Sequence, residues 1–324
     1  MPVDIALIEA AEARLAPVVR RTPLLSSPFL DRIAGRRVLV KPECLQHTGS
    51  FKFRGGWSAV SALAPEARAR GVLAFSSGNH AQGVAHAAQR HGVPSVIVMP
   101  EDAPQLKIAN TRALGAEVVL YDRAGGVDRD ALGTRIARER GLTLIRPYDE
   151  PQVIAGQGTA GLEIAAQAKG MGVSRADVLV CCGGGGLTGG IALALEARAP
   201  GLRARPVEPE GFDDVARSLV SGRIERNDRA SGSICDAILT AAPGELTFPI
   251  LARLCGPGIA VPDELCLRAM AAAFARLKIV LEPGGAVALA AALYMPETIE
   301  GDAVIVVASG GNVDAALFLS LIHI

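Results

Sequence analysis

The sequence DVLVCCGGGGLT, residues 177–188, indicates the class of fold to expect for this chain. Its first half, Asp177–Cys182, is an apolar run of the kind that forms a strand buried on both faces of a parallel sheet. Four adjacent glycines follow, and Leu187–Arg198 then has a helical pattern. A strand, a glycine turn and a helix in this order leave backbone amides at the helix start, where they can bind a phosphate group. Four adjacent glycines also cost backbone entropy, which makes a purely structural role a weak explanation.

Similar segments lie on both sides of this turn. Short apolar runs alternate with helical patterns over residues 71–145, and a second series runs from residue 158 to residue 308. Such βαβ units form parallel sheets. We therefore expect an α/β fold of two lobes, each a mostly parallel twisted sheet with helices on both faces, with ligands bound beyond the carboxyl ends of the strands. The expected strands are Gly71–Ser76, Val93–Met99, Ala116–Tyr121, Leu142–Ile145, Asp177–Cys182, Arg205–Glu208 and Ala303–Ala308. The expected helices are Asn79–His91, Gln105–Leu114, Asp128–Arg140, Gly158–Lys169, Leu187–Arg198, Glu264–Lys278 and Gly285–Leu293, with Gly211–Pro262 irregular.

The composition excludes several classes of protein. The 324 residues are 50% hydrophobic but only 4% aromatic, so the core must be built from Ala, Val, Leu and Ile. A net charge of zero, without a basic stripe interleaved with aromatic residues, argues against a nucleic-acid partner. No run of 18 apolar residues and no signal sequence are present, so we expect no membrane association and a cytoplasmic location. The six cysteines form no C-x-x-C pair and are expected to be reduced, buried residues.

A second stretch, TGSFKFRG at residues 48–55, places Lys52 between two aromatic residues at the start of a helical pattern. A lysine in this setting can lose its hydration and its proton, and the free amine can then attack a carbonyl group. Only five of the 33 basic residues of the chain are lysines, so a lysine in this setting is an uncommon feature of the sequence. The alternative is a lysine that extends from a helix start into solvent.

Two further turns follow expected strands. The turn SSGNH at residues 76–80 opens a helix, and its amides, with the side chains of Ser77 and Asn79, can bind an anion such as a carboxylate. An ordinary helix N-cap is the alternative. The turn SGGN at residues 309–312 directly follows Ala303–Ala308, where a lone serine is typical of a simple turn.

The glycine turn also permits a different interpretation. Gly184, Gly186 and Gly189 match the dinucleotide-binding pattern G-x-G-x-x-G, and Glu208 lies about twenty residues further on. That interpretation gives no role to Lys52. Phosphate binding is the inference that both interpretations share.

An acidic segment could bind a cation. Glu208, Glu210, Asp213 and Asp214 supply the oxygen ligands that suit Mg²⁺ or Ca²⁺. The alternative is a solvated acidic loop, since such loose spacing specifies a cation site poorly.

As a set, these segments resemble the threonine/serine dehydratase and serine racemase family of pyridoxal-phosphate enzymes, which have the tryptophan-synthase-β-like fold, type II. The resemblance extends from about Ala10 to Asp314 and includes VIAGQGT at residues 153–159 and EPGGA at residues 282–286. It implies a large cofactor-binding domain made of residues 1–65 and 150–324 and a small substrate-gripping domain of residues 66–149. It also implies a homodimer or homotetramer.

The resemblance implies pyridoxal 5′-phosphate as the cofactor and assigns residues to it. Lys52 would bind the cofactor covalently, and Phe51 would lie behind the pyridine ring. Asn79 would reach the ring hydroxyl, and Ser309 would face the pyridine nitrogen. The phosphate would be bound through the backbone amides of Gly183, Gly184, Gly185, Gly186 and Leu187.

The same resemblance assigns residues to the substrate and to a cation. Ser77 would be the acid/base on the face opposite Lys52 in racemising relatives. The substrate carboxylate would be gripped by Ser76, Ser77, Gly78 and His80. A Mg²⁺ or Ca²⁺ site of some relatives would correspond to Glu208, the carbonyl of Phe212 and Asp214.

The activity implied by the resemblance is that of a dehydratase, an ammonia-lyase that converts L-threonine or L-serine to 2-oxobutanoate or pyruvate plus ammonia. Lys52 would take the α-proton, and the neutral hydroxyl of Ser309 would favour elimination over transamination. Serine racemase is an alternative, because Lys52 and Ser77 on opposite faces could move the proton both ways. A 3-hydroxyaspartate dehydratase is another and would need an extra cation for the second carboxylate, which the sequence does not place. A dinucleotide-binding protein, or a cofactor-binding protein without turnover, is a more distant possibility.

Overall fold

Helices and strands alternate along most of the chain. The structure, a computed structural model, describes residues 3–76, 78–103, 105–122 and 125–321, and of Leu106 only the backbone. The strands are β1 (Leu25–Ser26), β2 (Arg37–Pro42), β3 (Val72–Phe75), β4 (Ser95–Pro100), β5 (Glu117–Tyr121), β6 (Thr143–Leu144), β7 (Ala176–Cys181), β8 (Leu202–Pro209), β9 (Ile259–Val261) and β10 (Ala303–Ala308). The α-helices are α1 (Ile5–Leu15), α2 (Pro28–Ala34), α3 (Lys52–Ser61), α4 (Pro65–Arg70), α5 (Asn79–His91), α6 (Gln105–Ala113), α7 (Arg129–Arg140), α8 (Pro151–Gly170), α9 (Gly186–Arg198), α10 (Asp214–Ser221), α11 (Thr247–Leu254), α12 (Asp263–Leu277), α13 (Pro283–Tyr294) and α14 (Ala315–Leu321).

The strands form two sheets. The larger has the order β1-β2-β10-β7-β8-β9 and is parallel except for the pairing of β1 with β2. The smaller has the order β5-β4-β3-β6 and is parallel throughout. Two mostly parallel sheets flanked by helices confirm the α/β architecture expected from the sequence. The smaller sheet is drawn from residues 72–144, inside the segment predicted as the small domain, and the domain boundaries themselves stay a prediction.

Burial explains why the central strands are so apolar. Every residue of β7 is buried, and β10 lies between β2 and β7 with all but its first residue buried. A strand covered on both faces needs a continuous apolar sequence, and both strands have one. Helix α13 is apolar all round and is buried from Pro283 to Leu293, as a helix enclosed by other elements must be.

The glycines of α8 allow three helices to approach one another closely. A Cβ atom at Gly156 would lie 2.5 Å from the carbonyl oxygen of Arg54 in α3, and one at Gly161 would lie 2.8 Å from Ala194 in α9. Both distances are too short for real contacts, so glycine is required. The helix also begins earlier than the expected Gly158, because Pro151 occupies its first turn and Glu150 caps it.

The segment Gly211–Pro262 is more regular than the sequence suggested. It contains α10, α11 and β9, with a 3₁₀ turn at Asp236–Ile238. Strand β9 has only three residues, and each helix has eight, so their periodicity is too short to recognise from the sequence. The expectation of an irregular segment was therefore wrong for these elements.

A buried ionic cluster fixes helix α3 to the larger sheet. The guanidinium group of Arg54, which has no exposed surface, binds both oxygens of Glu43 at 2.7 and 2.8 Å. It binds both oxygens of Glu163 in α8 at 2.8 and 3.0 Å and the hydroxyl of Thr159 at 3.1 Å. Burial alone would raise the pKa of Glu43, but Arg54 outweighs it and the pKa is lowered. Lys41 adds a second cation beside Glu163, so the charges of the cluster balance.

In the part of the chain that the structure describes, every helix is too short or too polar to cross a membrane. The apolar end of the sequence forms α14 up to Leu321.

Replacing Arg54 by methionine should lower the free energy of unfolding by about 3–5 kcal/mol, because the buried Glu43 would lose the cation that it pairs with and Glu163 would keep only Lys41. Urea unfolding of the variant and the parent protein measures this change. The matched control is Arg140→Met, which removes an ion pair between two half-exposed side chains, Arg140 and Glu117, and should cost about 1 kcal/mol or less. Similar losses in the two variants would show that the buried cluster contributes no more than a surface pair.

Candidate active site

One cavity lies at the carboxyl ends of strands from both sheets. Its walls come from the residues after β3, β7 and β10 and from the start of α3. Because parallel strands end at the same edge of a sheet, turns that are far apart in the sequence meet here. The residues predicted for the cofactor that line it are Phe51, Lys52, Asn79, Gly183, Gly184, Gly185, Gly186, Leu187 and Ser309. Those predicted for the substrate that line it are Ser76, Gly78 and His80, whereas Ser77 lies outside the described residues.

Lys52 is the first residue of α3, and its amine lies at the cavity wall. The Nζ atom donates a hydrogen bond to the carbonyl oxygen of Pro147 at 2.8 Å and lies 5.1 Å from the ring centroid of Phe51. Its partner is thus a neutral carbonyl group and not a carboxylate. Burial lowers the pKa of Lys52 to about 8, since the charged form loses hydration that no anion replaces. Roughly a tenth of the amine is therefore unprotonated at pH 7, against well under a thousandth for an exposed lysine.

The glycine turn presents the start of α9 to the cavity. Gly185 has φ +91°, in the left-handed region that favours glycine, and it caps the helix. The carbonyl of Gly184 is bound by the Thr247 hydroxyl at 2.6 Å, while the first amides of α9 have no partner within the helix. The hydroxyl of Thr240, also on the cavity wall, is buried without a hydrogen-bond partner among the described residues. These groups together can bind an anion such as a phosphate.

Tyr148 explains why two of these glycines cannot carry a side chain. A Cβ atom at Gly184 would overlap the Tyr148 ring, and one at Gly186 would lie 3.0 Å from the Tyr148 backbone. Tyr148 lines the same cavity. The sequence analysis did not identify it, because a tyrosine in a loop carries no spacing signal.

Asn79 and Glu282 on the cavity wall belong to a chain of hydrogen-bonded side chains. Asn79 donates from Nδ2 to Glu282 at 2.6 Å and accepts at Oδ1 from Asn312 at 2.7 Å. The Ser309 hydroxyl side chain lies on the same wall and is almost fully buried. The carbonyl of Ser309 accepts the N–H of Phe51 at 3.1 Å, which ties the start of α3 to the end of β10.

His80 is held as a neutral ring. Its Nε2 atom lies 3.0 Å from the carbonyl oxygen of Ile145, which requires Nε2 to carry the proton, and Nδ1 has no partner among the described residues. Burial, with the nearby Lys52, lowers the pKa of His80 to about 3. The free nitrogen is thus an acceptor, so it cannot donate to a carboxylate. Its predicted grip on the substrate stays a prediction.

The predicted cation site is not supported. The carboxylate of Glu208 accepts two backbone N–H groups at the start of α10, at 2.9 and 2.8 Å, and burial beside Asp214 raises its pKa well above the usual value. Asp214 accepts a hydrogen bond from Asn227 at Oδ1, while its Oδ2 is buried and has no hydrogen-bond partner among the described residues. No group of three or more His, Cys, Asp or Glu side chains suited to a metal is found within the described ranges. Glu208 acts as a helix cap in this structure, and the Mg²⁺ or Ca²⁺ site expected from the sequence stays a prediction.

Comparison with known proteins identifies the family. A family model described as pyridoxal-phosphate dependent enzyme matches residues 15–310. The chain belongs to this family of pyridoxal-phosphate-dependent enzymes. The match confirms the resemblance predicted from the sequence, and it replaces the dinucleotide-binding interpretation of the glycine turn.

The proteins that are similar to this chain include enzymes with different activities. The L-threo-3-hydroxyaspartate ammonia-lyase of Pseudomonas sp is 42% identical over 316 residues, which are 98% of this chain and 97% of the relative. The serine racemase of Schizosaccharomyces pombe is 40% identical over 95% of this chain and 93% of the relative. The crystal structure of a threonine deaminase from T.th. has a TM-score of 0.90 and 47% identity, over 96% of this chain and 99% of that one.

The residues on the cavity wall fit the cofactor of the family. An aldehyde needs an unprotonated amine, and Lys52 offers one that is not engaged by an acid. A phosphate needs hydrogen-bond donors, and the start of α9 and the Thr240 hydroxyl offer them. An aromatic ring needs a flat apolar neighbour, which Phe51 supplies on the same wall.

Gly184→Ala should weaken pyridoxal-phosphate binding about tenfold, because the new methyl group would overlap the Tyr148 ring and displace the amides of the turn. Titration of the cofactor-free protein, followed by absorbance, measures the affinity. The control is Gly170→Ala at the end of α8, where a methyl group meets nothing within 4 Å, and its affinity should equal that of the parent. An unchanged affinity in Gly184→Ala would contradict the role assigned to this turn.

Proposed function

We propose that this protein is an ammonia-lyase that converts L-threonine to 2-oxobutanoate and L-serine to pyruvate, with release of ammonia. The observation that carries the proposal is the Lys52 amine, which is free of a carboxylate partner and has a pKa lowered to about 8 by burial. An amine in this state can act both as the attachment point for an aldehyde and as a general base.

The reaction divides between the cofactor and the side chains. Bound pyridoxal phosphate supplies an aldehyde that condenses with amines and a conjugated ring that accepts the electrons left when the Cα–H bond breaks. Lys52 accepts the α-proton at Nζ and thereby becomes an ammonium group. The β-hydroxyl group takes a proton from this ammonium group and leaves as water, which returns Lys52 to its neutral form. The unsaturated amino acid that is released then takes up one water and yields the 2-oxo acid and ammonia.

Ser309 supports elimination over transamination. Its side chain is a buried neutral hydroxyl on the cavity wall. A hydroxyl group carries no negative charge with which to hold a pyridine nitrogen protonated, so less charge is drawn into the ring. The electrons at the α-carbon are then more available to expel the β-hydroxyl group.

L-threo-3-hydroxyaspartate is a second candidate substrate, because two basic side chains line the cavity. Lys107 lies beside the turn at residues 76–80, with Nζ 3.6 Å from the position that a Cβ of Gly78 would take. Its partner is Asp236, at 3.2 Å, and the Asp236 side chain is 59% exposed, so this ion pair is weak. Arg129 lies on the same cavity wall. Either cation could bind a second carboxylate, the group for which the sequence placed no partner.

Lys52→Ala should lower ammonia release by about a thousandfold or more, because both proposed roles of the amine are lost. Ammonia is measured with L-threonine, L-serine and L-threo-3-hydroxyaspartate, and D-serine is measured in the L-serine reaction. Lys169→Ala, which removes a lysine at the end of α8, is the control and should react as the parent does. Near-normal turnover of Lys52→Ala would refute the assignment, and D-serine formed faster than pyruvate would favour the racemase alternative.

Lys107→Met should separate the candidate substrates. If the ammonium group binds a second carboxylate, the KM for L-threo-3-hydroxyaspartate should rise about tenfold, while the KM for L-threonine stays within about twofold. Lys169→Met serves as the matched control. Equal changes in the two KM values would show that Lys107 does not distinguish these substrates.

A further inference from the structure

Glu282 is a buried carboxyl group on the cavity wall to which the proposed reaction gives no role. It directly precedes α13, is 2% exposed and lines the cavity. Its Oε1 atom accepts the hydrogen bond from Asn79 at 2.6 Å. Its Oε2 atom is buried and has no hydrogen-bond partner among the described residues. A buried carboxyl oxygen without a partner is costly, which indicates that a bound group completes the site.

The amide of Asn79 has only one orientation that satisfies its neighbours. The Nδ2 group of Asn312 donates to the carbonyl of Thr48 at 2.8 Å and to Asn79 at 2.7 Å. Because both N–H groups of Asn312 act as donors, Asn79 must present its oxygen to Asn312. The nitrogen of Asn79 then points to Glu282, and one of its two N–H groups is left for a bound molecule.

The contact between Glu282 and Asn79 depends on Gly310. A Cβ atom at this position would overlap Oε1 of Glu282 and would lie 3.2 Å from the nitrogen of Asn79. Gly310 also accepts the N–H of Glu282 at its carbonyl oxygen, at 3.1 Å. The turn after β10 is thus shaped to hold the carboxyl group against the amide.

Burial of Glu282 favours the neutral form of its carboxyl group. Burial is the main cause that raises its pKa, to about 7, and Asp236 in the neighbouring 3₁₀ turn raises it further. The hydrogen bond from Asn79 and the charge of Lys107 on α6 act in the opposite direction. The Cys44 thiol also faces Glu282, and the pKa of Cys44 is raised to about 12, chiefly by burial, so it adds no charge at neutral pH.

We propose that Glu282 is a positioning residue, which keeps the nitrogen of Asn79 directed into the cavity and holds a proton on Oε2 toward the bound cofactor. Glu282 acts through the amide of Asn79. The proton on Oε2 makes this otherwise unpaired oxygen a hydrogen-bond donor. The proposal concerns the cofactor and is independent of which amino acid is the substrate, so it can fail while the proposed function stands.

Three single variants, and the double variant that combines Glu282→Leu with Asn79→Ala, test the positioning role through the affinity of the cofactor-free protein for pyridoxal phosphate. Glu282→Gln keeps an acceptor for Asn79 and a donor in place of Oε2, so its affinity should lie within about twofold of the parent. Glu282→Leu removes both and should bind about tenfold more weakly. Asn79→Ala should lose a similar factor, and the double variant should lose little more than Asn79→Ala alone, because the two residues act as a unit. Losses that multiply in the double variant, or a Glu282→Leu affinity equal to that of the parent, would overturn the proposal.

The dependence of stability on pH tests the proton. A carboxyl group whose pKa is raised in the folded state stabilises the fold below its unfolded pKa, and this contribution is lost as the pH rises through its folded pKa, here about 7. The thermal midpoint of Glu282→Gln should therefore exceed that of the parent by more at about pH 8 than at about pH 5. Glu300→Gln is the control, since its side chain is 81% exposed. Parallel pH curves for Glu282→Gln and the parent would show that Glu282 holds no such proton.

Discussion

The pairing of Arg54 with two buried carboxylates is the interaction on which the site depends. All five N–H groups of the guanidinium are used, four on Glu43 and Glu163 and one on Thr159, so its position is determined in every direction. Arg54 lies two residues after Lys52 in the same helix. The hydrogen bonds of Arg54 therefore hold in place the helix backbone from which the Lys52 amine extends. A buried ion cluster contributes little net stability, so its value here is the precision with which it places α3.

The sequence predicted the fold best where local signals and burial agree. Helix Asn79–His91 and strand Ala303–Ala308 have the predicted bounds, because Gly92 ends the helix in a left-handed conformation and the strand is apolar on both faces. The sequence did not predict several of the short helices and strands. Helix Asp214–Ser221 begins at a cap supplied by Glu208, which comes from the preceding strand and so carries no signal of its own near the helix.

The site could be predicted as a list of turns but not as an arrangement. The residues after β3, β7 and β10 each carry a recognisable pattern, and parallel strands require their ends to meet. Tyr148 and Lys107 complete the cavity from segments without such a pattern, and only the packing of the two sheets brings them there. The acidic segment shows the limit of a ligand pattern. Glu208 matches the pattern, yet both of its oxygens accept backbone N–H groups of the protein, and the cation site stays a prediction.

Burial acts on three titratable groups of the cavity wall, Lys52, His80 and Glu282, in one direction, toward the neutral form. It lowers the pKa of Lys52 to about 8 and that of His80 to about 3, and it raises the pKa of Glu282 to about 7. The chemistry of the family needs a free amine. An ionised carboxylate next to Lys52 would hold the amine protonated. The site avoids this by giving the amine a carbonyl partner, Pro147, and by placing the buried carboxyl group of Glu282 against the amide of Asn79.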